Sequence, residues 1–189
     1  MPNPIVYLIG GASRSGKSEL CRRLSVAATC PYFHLDFLRQ GVLAGIATIL
    51  GNEPDDPESY ANRVTHAIVP GLIENVIYNG LSYIIEGGWL QPQTAAKVKR
   101  HYPNYVKVCF VGFPDADLDE MVARVRNNAG QANDWLSKRT DDEVKNFMRC
   151  QISGSLWYKQ EAEKHGFIYC DTSHKFSENI NNAVHDLLN

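Results

Sequence analysis

The residues with the clearest chemical meaning form the run Gly11-Ala12-Ser13-Arg14-Ser15-Gly16-Lys17-Ser18, which fits the spacing G-x-x-x-x-G-K-[ST]. Glycines at both ends let backbone N–H groups curl around phosphate oxygens without a Cβ in the way. A lysine in this place reaches the β and γ phosphates of a nucleotide, and the following hydroxyl is a ligand for Mg²⁺. We therefore predict that residues 11–18 bind nucleotide phosphates.

The elements on either side of this loop fit that chemistry. Before it comes the continuous apolar run Ile5 to Ile9, which is typical of a buried parallel strand. After it, Leu20 and Leu24 recur at helical spacing. A helix that begins near Lys17 would add the positive end of its dipole to the phosphate site.

Four more apolar runs follow along the chain and predict four further strands. They cover residues 32–35, 83–85, 105–111 and 167–170, and helical patterns separate them. Strands that alternate with helices predict an α/β fold, in which a parallel sheet is covered on both faces. The length of 189 residues suits one domain over 1–189. Pro70 is expected to kink or divide the helix around it.

Two carboxylates come directly after predicted strands. Asp36 ends the second strand and Glu86 ends the third. Ligands of open α/β sheets bind at the carboxyl ends of the strands, so both side chains are expected near the phosphate loop. Either could hold Mg²⁺ through water or take a proton from an attacking hydroxyl. The alternative for each is a helix N-cap or a solvated turn carboxylate.

The segments GGASRSGKS, HLDFLR and YIIEGG together resemble the small P-loop kinases, which include the adenylate, shikimate, gluconate and zeta-toxin-like kinases. The resemblance implies a three-layer fold with five parallel strands in the order 2-3-1-4-5. It also implies a lid between strands 4 and 5, and ATP with Mg²⁺ as the phosphoryl donor. By position, Asp36 would be the acid on the acceptor side and Arg39 a substrate anchor.

The predicted lid covers about residues 127–141, and basic residues lie at its two ends. In the kinases that the chain resembles, such residues close over the phosphates. Arg126 is the first candidate for stabilising the transferred phosphoryl group, and Arg139 the second. The alternative for both is a solvated helix face.

Three further residues are candidates by position. Thr172 follows the fifth strand, where the resemblance implies an adenine pocket, although tight turns also favour such residues. Trp89 could line the acceptor pocket and Gln91 could reach into it, whereas a tryptophan in this place is as often plain packing.

Composition narrows the class of protein. Lys and Arg number 19 and Asp and Glu 21, for a formal net charge of −2, which argues against nucleic acid as the main partner. The five cysteines form no C-x-x-C pair and the six histidines no H-x-H or H-E-x-x-H, so we expect no zinc site. The first residues carry no positively charged signal region, and no apolar run is long enough for a bilayer. We expect a cytoplasmic protein without a membrane partner; the oligomeric state stays open.

These observations lead to a main hypothesis and two alternatives. The main hypothesis is an ATP- and Mg²⁺-dependent kinase that transfers the γ-phosphoryl group to a hydroxyl or phosphate of a small metabolite. Its catalytic residues would come from Lys17, Asp36, Glu86, Arg126 and Arg139, with Ser18, Asp36 and Glu86 on the metal side. The alternatives are a nucleotide-binding regulatory module with little turnover and a zeta-toxin-like kinase of a nucleotide sugar.

Overall fold

The computed structural model describes residues 4–51, 54–130 and 134–189, and within them five strands form one sheet. The strands are β1 (Val6–Gly11), β2 (Tyr32–His34), β3 (Tyr83–Glu86), β4 (Val106–Gly112) and β5 (Ile168–Asp171). All pairs are parallel, and the order is β2-β3-β1-β4-β5. The predicted α/β class and the order 2-3-1-4-5 are both confirmed.

The helices lie between and after the strands. They are α1 (Lys17–Ala28), α2 (Leu35–Leu50), α3 (Pro57–Tyr78), α4 (Pro92–His101), α5 (Leu118–Asn127), α6 (Asp141–His165) and α7 (Phe176–Leu188). Pro70 lies inside α3, which continues as one helix, so the proline does not divide it. Among the described residues, no helix has the length and apolar character needed to cross a membrane.

The central strand shows why the sheet has helices on both faces. Along β1, Val6 and Leu8 pack into one buried cluster, and Tyr7 and Ile9 into another. Alternate side chains of a strand point to opposite faces, so an apolar run without alternation needs cover on both sides. The first cluster includes residues of α3, α4 and α6, and the second includes residues of α1 and α7.

The register brings the strand ends to one edge of the sheet. Ile9 of β1 lies opposite Glu86 of β3, and Glu86 lies opposite His34 of β2. The phosphate loop begins two residues beyond Ile9. Three neighbouring strands therefore present the loop, a carboxylate and an imidazole at the same edge, where α/β proteins bind their ligands.

Candidate active site

The phosphate loop depends on two glycines with positive φ. Gly11 has φ +126°, and a Cβ there would lie 2.0 Å from the carbonyl oxygen of Val111. Gly16, the residue before α1, has φ +96° and lies against the ring of Phe176. No side chain caps α1 at Gly16, so the first amides of the helix are available to a bound anion.

The side chain of Lys17 folds back onto the phosphate loop. Its side chain is buried, and Nζ donates a hydrogen bond to the carbonyl oxygen of Ala12 at 2.7 Å. Burial lowers the pKa of Lys17, while the nearby carboxylates of Glu86 and Asp36 act in the opposite direction. The lysine is thus electrostatically coupled to both predicted acids.

Thr172 supports the loop from behind. Its hydroxyl oxygen lies 2.9 Å from the carbonyl oxygen of Ser15 and 3.0 Å from that of Gly112. It is buried and lies apart from the pocket that the loop lines. The structure therefore shows that the Thr172 side chain holds the loop, and the predicted contact of the backbone at this position with a nucleotide base stays a prediction.

The acidic end of the site contains a residue that the sequence analysis missed. Nδ1 of His34 contacts Oε2 of Glu86, and the two residues lie opposite each other in β2 and β3. Burial raises the pKa of Glu86, and the charges of Lys17 and His34 oppose this shift. Asp36 lies in the first turn of α2 and lines the same pocket as Glu86.

A buried cation, Arg39, lines the same pocket as Asp36. Arg39 is 7% exposed, its Nε donates to Asn62 Oδ1 at 2.6 Å, and its Nη2 contacts the carboxylate of Glu58. The guanidinium lies 4.8 Å from the centre of the Trp89 ring, within the range of a cation–π contact. The same Trp89 ring also contacts the ring of His66 in an edge-to-face arrangement, with 6.1 Å between the ring centres. The structure thus brings together Arg39 and Trp89, and the role of both in substrate binding stays a prediction.

These groups line one pocket of about 840 Å³. The size lies within the range of roughly 300–1,000 Å³ that small-molecule sites occupy. The lining comprises residues 11–18, His34, Asp36, Arg39, Gln40, Glu86, Gly88, Trp89, Trp135, Phe147, Gln151 and Tyr158. The whole phosphate loop and the two predicted carboxylates therefore share one cavity with Arg39 and Trp89. Gln91 is the N-cap residue that precedes α4, and it is not among the residues that line this pocket.

The two predicted lid arginines do not line the pocket. Arg126 donates to the carbonyl oxygens of Ser137 at 2.5 Å and Arg139 at 2.8 Å, and its Nε lies 3.0 Å from Asp141 Oδ1. Arg139 is exposed and pairs with Glu143 at 3.3 Å. In this structure Arg126 closes the turn into α6 because three acceptors surround its guanidinium, and Arg139 supports the start of that helix.

The described part of the predicted lid is anchored to the core. The prediction covered 127–141, of which 131–133 lie outside the described residues. Leu136 is buried against Phe113, Val144 and their neighbours. Trp135 lines the pocket; its ring meets Phe147 edge-on at 5.1 Å and lies 6.0 Å from the Arg14 guanidinium.

The described residues contain no cluster of three or more His, Cys, Asp or Glu side chains that could hold a metal by themselves. Mg²⁺ does not need such a cluster, because it keeps several waters and shares its coordination with substrate phosphates. Ser18, Asp36 and Glu86 offer oxygen donors in the pocket of the phosphate loop. This donor set fits a magnesium ion that is bound together with a nucleotide.

Comparison with known proteins identifies the fold. No protein-family model and no curated protein matches the chain in sequence. In structure, a gluconokinase from Sinorhizobium meliloti 1021 matches with a TM-score of 0.60 at 14% identity, over 100% of this chain and 94% of the other. A shikimate kinase from Bacteroides thetaiotaomicron matches with a TM-score of 0.58 at 16% identity, over 97% and 96%. The fold is that of the small P-loop kinases. A sugar kinase from Janibacter sp. HTCC2649 agrees, with a TM-score of 0.57 at 14% identity over 97% and 95%.

Within this kinase fold, sequence reasoning missed several pocket residues. His34 could have been found, because it ends a strand beside the one that ends in Glu86. Gln151 gave a weaker signal, as a polar residue beside the apolar positions Met148 and Ile152 of α6. The contact of the Tyr158 hydroxyl with the carbonyl oxygen of Gly88 at 3.3 Å had no signal, because 70 residues separate the two.

Proposed function

We propose that the protein is an ATP- and Mg²⁺-dependent kinase of a small molecule. The observation that carries the proposal is the shared pocket, in which a complete phosphate loop faces a carboxylate, Asp36, and a buried cation, Arg39. A binding module needs only the loop, whereas phosphoryl transfer also needs an acceptor site within reach of it. The kinase fold of the matched structures supports the same conclusion.

A buried polar atom supports an anionic ligand in the loop. Ser15 is 1% exposed and lines the pocket, and its Oγ has no hydrogen-bond partner among the described residues. A buried hydroxyl without a hydrogen-bond partner lowers the stability of the fold, and a phosphate oxygen would accept a hydrogen bond from it. The backbone amides of the loop and the positive end of α1 favour the same kind of ligand.

The residues would divide the reaction as follows. Lys17 and the loop amides hold the phosphates, and Mg²⁺, when bound, neutralises phosphate charge. Ser18 would hold the ion directly, and Glu86 would hold it through water. Asp36 would orient the acceptor hydroxyl and accept its proton as the oxygen attacks the γ-phosphorus, while the bond from this phosphorus to the β–γ bridging oxygen breaks and ADP leaves. Tyr158, Trp89 and Trp135 border the cavity and limit the access of competing water.

The first experiment is a melting-temperature titration with nucleotides. Mg²⁺ and ATP together should raise the melting temperature, because a ligand that binds only the native state stabilises it by about 2.7 kcal/mol at 100 times its dissociation constant. ATP without a metal, in the presence of a chelator, should give a smaller shift. A larger shift with GTP than with ATP would contradict the choice of nucleotide but not the phosphate loop.

The reaction itself is tested by ADP release with a library of acceptors. A small-molecule kinase should release ADP rapidly only with particular acceptors, each of which should gain one phosphoryl group by mass. Low ADP release with every acceptor, although Mg²⁺-ATP binds, would favour a regulatory module. Turnover confined to nucleotide sugars would favour the zeta-toxin-like alternative.

Arg39 points to an acceptor with an anionic group. Its partner Glu58 has a side chain that is 64% exposed, so an anion that enters the pocket can replace this carboxylate without burying it. The matched gluconokinase and shikimate kinase are named for acids, which agrees with this choice. A carboxylate or phosphate on the acceptor would then contact the guanidinium beside Trp89.

Replacement of Arg39 by glutamine should raise the KM for the acceptor by about tenfold or more, because a charge-assisted hydrogen bond is lost. The KM for ATP should change by less than about twofold. E58Q is the matched variant: it removes the competing carboxylate, so the acceptor KM should fall or stay the same. Steady-state kinetics with both substrates varied measures these values, and an unchanged acceptor KM in R39Q would contradict the anion site.

A further inference from the structure

A side chain from α6 reaches the phosphate loop. The backbone N–H of Ser13 donates to Oε1 of Gln151 at 2.7 Å, although 138 residues separate the two. Both residues line the pocket. The loop amide at Ser13 is therefore already satisfied, and it is not available to a phosphate while Gln151 stays in place.

The chemistry of the amide fixes which of its atoms faces the loop. A backbone N–H only donates, so the carboxamide oxygen of Gln151 must face Ser13. The NH₂ group on the same carbon then points away from the Ser13 amide. Among the described residues, Nε2 of Gln151 has no hydrogen-bond acceptor. The side chain thus presents two unused protons at a pocket built for an anion, and phosphate oxygens only accept.

The helix holds Gln151 firmly in this place. Ser155, one turn later, is buried, and its Oγ donates to the carbonyl oxygen of Gln151 at 2.8 Å. The carbonyl oxygen of Ser155 accepts from the Tyr169 hydroxyl at 3.0 Å, and a Cβ on Gly112 would lie 2.8 Å from Ser155 Cβ. Such close packing against β4 and β5 leaves the helix little freedom, which is what a precise ligand contact requires.

We infer that Gln151 is a phosphate-binding residue of this site. Its Oε1 stays on the Ser13 amide, which orients the side chain, and its Nε2 donates a hydrogen bond to an oxygen of the bound nucleotide phosphates. The phosphate site thereby loses the Ser13 amide as a donor and gains the NH₂ group of Gln151 in its place. It adds no charge, unlike the nearby Lys17 and Arg14. This inference rests on the proposed function, because it takes a nucleotide as the ligand of the loop.

The variant Q151E separates this role from a structural one. Glutamate keeps the shape of the side chain and an oxygen that accepts from Ser13, so the loop stays in place. It has no donor at neutral pH, and it places a negative charge beside the phosphates. Q151E should weaken the binding of Mg²⁺-ATP by tenfold or more, because hydrogen bonds to charged groups are among the strongest in proteins.

The readout is the dissociation constant of Mg²⁺-ATP from titration calorimetry with the full chain, which needs no acceptor. Q160E is the matched control, since Gln160 lies exposed on the same helix, and it should bind like the unmodified protein. If Q151E does not fold, Q151M tests the same bond without an added charge, with a loss of about three- to tenfold expected.

Two results would overturn the inference. One is a dissociation constant within twofold of the unmodified protein in folded Q151E or Q151M. The other is weaker binding in Q151M than in Q151E, which would mean that Gln151 acts only by holding Ser13. Failure of the unmodified protein to bind Mg²⁺-ATP would instead contradict the proposed function, so the two failures are distinguishable.

Discussion

Replacement of Lys17 by alanine should lower turnover by about 10²- to 10³-fold while the protein stays folded. The loss is large because the lysine supplies a fixed positive charge at the place where phosphate charge must be stabilised, and such preorganised groups contribute about 10²–10³-fold each. Its buried position and its bond to Ala12 hold that charge ready before the nucleotide arrives. Steady-state ADP release with the identified acceptor measures the effect.

The fold should survive because the carboxyl of Glu86 can respond to the loss of its buried positive neighbour. The charge of Lys17 opposes the rise that burial causes in the pKa of Glu86, so loss of the lysine should raise this pKa further and favour the uncharged carboxyl. Circular dichroism should therefore give unchanged spectra. Lys164→Ala is the control, because this exposed lysine pairs with Glu161 on the surface of α6, and this variant should turn over normally. Normal turnover in Lys17→Ala would show that the phosphate loop is wrongly assigned.

Asp36→Asn should lower kcat by about 10² or more, with much less effect on the binding of Mg²⁺-ATP. Asparagine keeps the size of the side chain but cannot accept a proton from the acceptor hydroxyl. Asp36 is well placed for this task in the first turn of α2, because it lines the same pocket as the phosphate loop and Arg39. Comparison of kcat with the dissociation constant of Mg²⁺-ATP separates a base from a metal ligand.

Glu86→Gln is the companion variant. Glu86 is expected on the metal side, so its loss should weaken the response to Mg²⁺ and raise the metal concentration needed for half-maximal turnover. His34 contacts the same carboxylate and would then lose a charged partner. Near-normal turnover in Asp36→Asn, together with inactivity in Glu86→Gln at saturating Mg²⁺, would reverse these two roles. Activity in both would leave positioning alone to carry the reaction.

The part of the pocket formed by Asp36, Arg39 and Trp89 could be predicted only in part. Asp36 and Arg39 lie three residues apart, and the helical spacing of α2 places them on one face. Trp89 follows a strand end, which also indicated the pocket. The partners of Arg39 come from Glu58 and Asn62 in α3, and no local pattern connects that helix with α2.

The lid shows what reasoning from position alone leaves out. Arg126 has the place and the charge for a phosphate contact, but the turn before α6 offers it Ser137, Arg139 and Asp141 at hydrogen-bond distance. A guanidinium has donors in several directions and binds where acceptors converge. That convergence depends on how the chain returns from α5 to α6. The role of either lid arginine in transfer stays a prediction that needs a different arrangement of this segment.

The phosphate loop, the α/β class and, through the resemblance to kinases, the strand order could be predicted from the sequence alone. These features follow from local spacing and from strands that must be buried on both faces. Only the tertiary structure brought His34 to Glu86, Glu58 to Arg39 and Gln151 to Ser13. Such contacts join residues that are far apart in the chain, and they depend on the register of the sheet and on the seating of each helix. Residue spacing along one strand or helix predicts neither the register of the sheet nor the position of a helix on it, because spacing fixes side-chain directions only within that element.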